Sequence, residues 1–351
     1  MSNCYIVKLV NGLEEYKKTK HEGQKANHEI KREYGMKRDR LKMRQKGFTL
    51  LELLIVLVIM GFLLAMVVPR LAKIGSKAVE TIGETNIRDI RRYVISFQQQ
   101  YNRLPDKLIS LVNSTKGVGY QLPEIDDLDT ENGPETISWD FDERNKLCLH
   151  ILNYEEATEL IKMGIRRVAI LNDHKGSKTQ DFAAGSIGRP MNLVEVKEGL
   201  GVVMIGAGAN STTGALDVSR IRVNERFCNP EWIYRIILGI GPDSELVTKG
   251  IIQDAALSPG GIQASDFYTY NYYNVVLPRL KATTDRLRTG NPSVITVQDA
   301  SDPDYGKEKE IDIAQAQEPW EIDVVSPQGQ RWSTEEIDMW RIRRINETIR
   351  H

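Results

Sequence analysis

"KGFTLLELLIVLVIMGFLLAMVVPR" occupies residues 46–70, and its reading decides the architecture. From Phe48 to Val68 every side chain is apolar or small and uncharged, apart from Glu52. These 21 residues form a helix of about 31 Å, enough to cross the hydrocarbon of a bilayer. A secretory signal peptide has a shorter apolar core followed by a small-x-small cleavage site, whereas this run continues into Pro69–Arg70. A carboxylate one turn inside such a run costs on the order of a few kcal/mol in lipid unless it is paired. Glu52 therefore needs a partner, or else a shallow seat among headgroups favoured by the dipole of the helix N-terminus.

The flanks orient the segment. Residues 1–47 hold 13 Lys/Arg against 6 Asp/Glu, while the remaining chain holds 34 against 42, so a near-zero total of −1 conceals a basic head and a mildly acidic body. Arg38, Arg40, Lys42, Arg44 and Lys46 directly precede the apolar run, and only Arg70 and Lys73 follow closely. By the positive-inside rule the N-terminus is cytoplasmic and the body is exported. Neither half has the strongly basic balance of a nucleic-acid binder. Beyond Pro69, Leu71, Ile74, Ala78, Ile82, Ile87, Ile90, Val94, Phe97, Tyr101 and Leu104 recur mostly at three- and four-residue steps among charged residues. That periodicity predicts one helix over about 49–100, ended by "NRLP" because the residue before Pro105 is pushed out of helical geometry.

The string "KGFTLLE" places Gly47 before Phe48, basic residues upstream, and an acid at the fifth position counted from Phe48. It resembles the class III signal of type IV prepilins and type II secretion pseudopilins. The resemblance covers residues 43–75, with Gly61 and Pro69 falling where members of that family have a glycine and a helix-kinking proline. It implies cleavage between Gly47 and Phe48 by a prepilin peptidase, N-methylation of Phe48, and pairing of Glu52 with the amine of a neighbouring subunit during assembly. It also implies as partners other pilin or pseudopilin subunits in homo- and hetero-polymers, an inner-membrane assembly platform and a secretion ATPase. Gly61 and Pro69 together weaken the helix and favour a bend or partial unwinding between them; a bilayer-exit kink reads Pro69 equally well. Within the head, starts at Met43 or Met36 would leave leaders of more usual length than 47 residues, and a long leader is the alternative.

The expected organisation is thus a basic leader 1–47, a transmembrane half-helix 48–68, an amphipathic half-helix 69–103, and an extracytoplasmic α+β globular domain 104–351. In fold class this is a pilin-like protein with a long N-terminal helical spine and a C-terminal domain containing an antiparallel sheet. Within the body, "SLV" reads as a linker to a short helix, "TISWDF" and "KLCLHIL" as paired strands, and "NYEEATELIKMG" as a helix. "RRVAIL", "GVVMIGA" and "WIYRIILGIG" read as strands. "DFYTYNYYNVVLPRLKATTDRLR" reads as helical, with Tyr268, Tyr272, Val275 and Arg279 on one face, and the Tyr268–Tyr273 cluster as core packing. The tail "STEEIDMWRIRRINETIR" reads as a basic amphipathic helix with Trp340 packed, opened by a capping box from Ser333 to Glu336.

Catalytic readings find little support. "VVMIGAGANS" lacks the third glycine and following helix of a dinucleotide fingerprint, so a Gly-rich loop between strands is the expectation. Of the five histidines, His21 and His28 precede Gly47, His351 is terminal, His150 reads as a core or strand residue and His174 as a loop residue. There is no P-loop, HExxH or GxSxG. Cys148 and Cys228 can form one disulfide in an exported domain; two buried thiols read the same letters as well. "LGIGPDSELV" is similar to a turn that binds calcium in some major pseudopilins, which makes Asp243 and Glu245, with Asp254, candidate ligands; a simple turn explains the same letters. No other cofactor is expected. The functional expectation is a structural subunit of a type II secretion pseudopilus in the inner membrane, with a type IV or competence pilin next. A membrane-anchored periplasmic enzyme or ligand-binding protein is the rival from another class.

Overall fold

The computed structural model describes residues 49–125, 137–174, 191–209, 216, 226–227, 229–252, 258, 270–288, 294–299, 308–329 and 340–344. The chain divides into two compact units, Met1–Ile74 and Gly75–His351. Helix α1 runs from Leu50 to Tyr101, as the periodicity predicts, and is unbroken through Gly61 and Pro69. It stops at Asn102, whose φ of 53° is a left-handed terminating conformation, three residues before Pro105. Ile87, Ile90, Val94 and Phe97 are buried, so the apolar stripe faces the globular core; Ile82 and Tyr101 are partly exposed.

Three short strands follow: β1 Leu108–Ser110, β2 Asn113–Thr115 and β3 Gly119–Gln121. Helix α2 Trp139–Asn145 stands where "TISWDF" predicted a strand, because Ser138 Oγ accepts from Phe141 N (3.2 Å) and caps a turn with Asp140 and Asp142 at its start. Strand β4 Leu147–Ile151 and helix α3 Tyr154–Lys162 fall as expected. Next come β5 Arg167–His174, β6 Met191–Glu195, β7 Gly201–Ile205, β8 Arg226–Phe227 and β9 Ile236–Gly239. His174, read as a loop residue, is the last residue of β5 and lies opposite Met191. Helix α4 Glu245–Thr248 is a single turn. The tyrosine-rich segment is not one helix: β10 Asn274–Val276 is followed by helix α5 Lys281–Leu287. Pro278 between them cannot donate a helical hydrogen bond and forces Leu277 towards extended geometry. Strands β11 Val294–Asp299, β12 Glu308–Asp312, β13 Asp323–Val325 and β14 Trp340–Arg344 are the last elements among the described residues. The last of these corrects the helical reading of the tail. Ser333, Glu336 and the Trp340 side chain lie outside the described residues, as does Tyr268.

The main sheet has eight strands in the order β13-β10-β9-β1-β5-β6, with β4 reached through β7. It forks at β9, whose one edge pairs β10 while the other is divided between β1 at Leu238–Gly239 and β7 at Ile236–Ile237. Ser110 Oγ donates to the Gly201 carbonyl (3.0 Å) across the fork. All pairs are antiparallel except β1–β5, so β1, expected as a linker, sits in the middle of the sheet. Strands β7 and β9 are buried along their whole length, which explains their solidly apolar letters. A second, four-stranded sheet has the order β12-β11-β14-β8.

Two buried arginines clasp the body. Arg235 Nε donates to the Leu277 carbonyl (2.6 Å), and its other nitrogens reach the Val276 (3.0 Å) and Glu321 (2.6 Å) carbonyls and the Asp323 carboxylate (3.4 Å). Arg279 Nε reciprocates to the Ile233 carbonyl (2.9 Å), with further bonds to the carbonyls of Glu231, Asp312 and Gln315. Each guanidinium thus grips the residue two places before the other arginine. Burial lowers both pKa values to about 10, which leaves both charged at neutral pH.

The glycines of "GAGA" serve packing. Gly206 turns the chain after β7 at φ 82°, and a Cβ on Gly208 would lie 1.9 Å from the Leu149 carbonyl oxygen.

Candidate functional site

The first turn of α1 contains a feature the charge argument did not reveal. Thr49 N and Thr49 Oγ1 both donate to Glu52 Oε2 (2.9 and 3.0 Å), and Glu52 N donates back to Thr49 Oγ1 (3.2 Å). This is a complete capping box, spelled T-x-x-E, which satisfies helix N-terminal donors that lipid could not. Glu52 Oε1 has no partner among the described residues. The carboxylate is therefore half engaged within its own turn and half available to a second cation. Gly47 and Phe48, on either side of the expected cleavage point, lie outside the described residues.

Behind the cap, Leu50–Val68 is long and apolar enough to cross a membrane, and none of it is buried. Its exposed leucines, isoleucines, valines and Phe62 leave an apolar cylinder that water would not tolerate. A Cβ on Gly61 would meet nothing within 4 Å, so the space around this glycine is open to another helix or to lipid.

At its other end α1 is fastened to the body. Arg103 makes a bidentate ion pair with Glu245, through Nη1 to Oε2 and through Nη2 to Oε1 at 2.8 Å. Glu245 Oε2 also accepts from Asp106 N (2.9 Å). The bond from Arg103 holds the Glu245 carboxyl down at about 2. The Lys249 ammonium lies 3.9 Å from the Tyr101 ring centroid, and the Arg103 guanidinium 5.3 Å from that of Phe97. The last turn of α1 has no basic residue of its own, so these cations complement its dipole.

The acids expected as calcium ligands have these partners. Both Glu245 oxygens are taken as described, and Asp243 Oδ2 accepts from Met191 N (3.3 Å). Among the described residues no three His, Cys, Asp or Glu side chains come together in a way that could hold a metal ion. Asp254 lies outside the described residues. The 142 positions between Arg103 and Glu245 conceal this pairing in the sequence.

His150 is buried on β4. Ala209 N donates to its Nδ1 (3.0 Å), which leaves the ring proton on Nε2, 3.0 Å from Glu156 Oε2. Glu156 also accepts from Asn153 N (3.0 Å), Arg286 (2.8 Å) and Thr283 Oγ1 (2.8 Å). Burial opposes ionisation of Glu156, but His150, Arg286 and the Asn153 amide prevail and hold its carboxyl at about 2. His150 and Glu156 are both 0% exposed, and with Arg286 they form a structural node between β4, α3 and α5. Cys148 is buried nearby, its thiol donating to the Lys146 carbonyl (3.5 Å); Cys228 lies outside the described residues.

Comparison with known proteins adds one result. Searches of curated proteins and of solved structures found no match to this chain. A family model, the prokaryotic N-terminal methylation motif, matches residues 42–68, which include the basic approach, Gly47–Phe48, the Thr49–Glu52 cap and the apolar helix. That motif implies processing by a prepilin peptidase and assembly with other pilin subunits, and the apolar helix fits the single-pass anchor typical of pilins. The chain thus carries the signature of type IV pilins and pseudopilins, which supports a pilin-like subunit in the broad sense.

Proposed function

We propose that this protein is a structural, non-catalytic subunit of a type II secretion pseudopilus. It would be inserted in the inner membrane with its N-terminus cytoplasmic, cut between Gly47 and Phe48, methylated on Phe48, and drawn into a helical fibre with an exported body. An assembly platform and a secretion ATPase would supply the place and the energy. The observation that carries the reading is Glu52: a carboxylate at the head of an exposed 19-residue apolar helix, with Oε2 held by Thr49 and Oε1 unengaged among the described residues. Cleavage after Gly47 would create an amine one residue before Thr49. Its pairing with Glu52 of a neighbour would remove two charges from lipid together. The test is Glu52→Ala. The variant should be inserted and processed like the parent and yet fail to enter sedimentable fibres; normal fibre formation would remove the basis of the proposal.

A further inference from the structure

We propose that Arg103 is a resident cation at the foot of α1, filling the place a calcium ion would take on the Asp243–Glu245 turn and making that junction independent of metal. Calcium requires six to eight oxygen ligands at about 2.3–2.6 Å. Here the Glu245 carboxylate already accepts two bonds from Arg103 and one from Asp106 N. Asp243 is turned to Met191 N, and Asp106 Oδ1 accepts from Arg166 N (2.9 Å) and Arg167 N (2.8 Å). A metal ion on Glu245 would have to compete with this guanidinium, whose side chain is 28% exposed.

The arginine does what a cross-linking ion would do. It ties the residue just beyond the helix to the first turn of α4, whose Glu245 N in turn donates to the Asp106 carbonyl (3.1 Å). It also brings positive charge to the C-terminal end of a 52-residue helix that has no basic residue in its last turn. The planar fork meets the carboxylate with two parallel N–H···O bonds, which an ammonium cannot match.

The experiment uses the full chain in detergent micelles and calcium alone as the probe. The thermal midpoint of the parent should be the same in excess calcium and in chelator, with no calcium heat in titration calorimetry. Arg103→Met should lower the midpoint by about 2–4 °C, and Arg103→Lys should recover only part of that loss. A calcium response gained by Arg103→Met but absent from the parent would support the assignment further. Calcium stabilisation of the parent that disappears in Glu245→Gln would overturn it, as would an Arg103→Met variant melting like the parent. Should Arg103→Met fail to fold, the calcium comparison on the parent decides alone.

Discussion

Replacing Arg279 by Met keeps the length and the apolar stem but removes the guanidinium, and the cost can be worked from its four carbonyl partners. The bonds to Glu231, Ile233, Asp312 and Gln315 span 2.9–3.2 Å. Hydrogen bonds to a charged donor contribute about 1.5–3 kcal/mol each, so the gross loss is roughly 6–12 kcal/mol. Against this stands relief from burying a charge: a pKa lowered from 12.5 to about 10 corresponds to about 3 kcal/mol. Relaxation and water entry recover more, and a net destabilisation of about 3–5 kcal/mol follows, similar to breaking other buried charge contacts by removing one partner. Backbone carbonyls cannot be mutated away, so a single apolar replacement is unable to make the site self-consistent. Denaturant unfolding, followed by the fluorescence of buried Trp232, measures the change. Arg235→Met should cost a similar amount, and the double variant less than the sum, because each side chain grips the segment just before the other. A single variant within about 1 kcal/mol of the parent would mean that these carbonyls are satisfied without the guanidinium.

Other expectations follow from the same contacts. Glu156 and Glu245 both have folded-state pKa values lowered from 4.5 to about 2, so the unfolded chain binds more protons between those values. Their stabilisation is full above about pH 4.5 and is lost as pH falls towards 2, with Glu156 alone contributing on the order of 3 kcal/mol. A pH series of unfolding midpoints should show this loss, and Glu156→Gln should flatten it; an unchanged slope would contradict the assignment. Gly208→Ala should destabilise the body by roughly 2–4 kcal/mol, because the new Cβ meets the Leu149 carbonyl oxygen rather than a movable side chain. A neutral result in thermal melts would mean that the 206–209 turn can shift freely.

What the letters revealed depended on how local the determining interactions were. Helix α1 was legible because its pattern is repeated over many turns and ends at Pro105. Its cap is also spelled out as T-x-x-E, and that of α3 as N-x-x-E from Asn153 to Glu156, but Glu52 stands out by its charge rather than its spacing and Glu156 by neither. Strand β1 is three residues long and too short for any period; the strands beside it, more than fifty positions away, place it in the sheet. In "TISWDF" the alternation of Ile137, Trp139 and Phe141 mimics a strand, and the Ser138 cap decides otherwise. The aromatic spacing at 268–273 imitated a helix, whereas β-branched Val275 and Val276 before Pro278 carried the strand signal. The Arg235–Arg279 clasp, the Arg103–Glu245 pair and the His150–Glu156–Arg286 node join residues that only the finished fold brings together.

If residues 46–52 are a processing and assembly signal, the mature N-terminus carries its mark. Intact mass and N-terminal peptide spectrometry of the membrane fraction, from a host with a working prepilin peptidase, should find a chain beginning at N-methylated Phe48. A chain that still carries Lys46 and Gly47, or begins at an unmethylated residue, would show that this segment is not a prepilin signal.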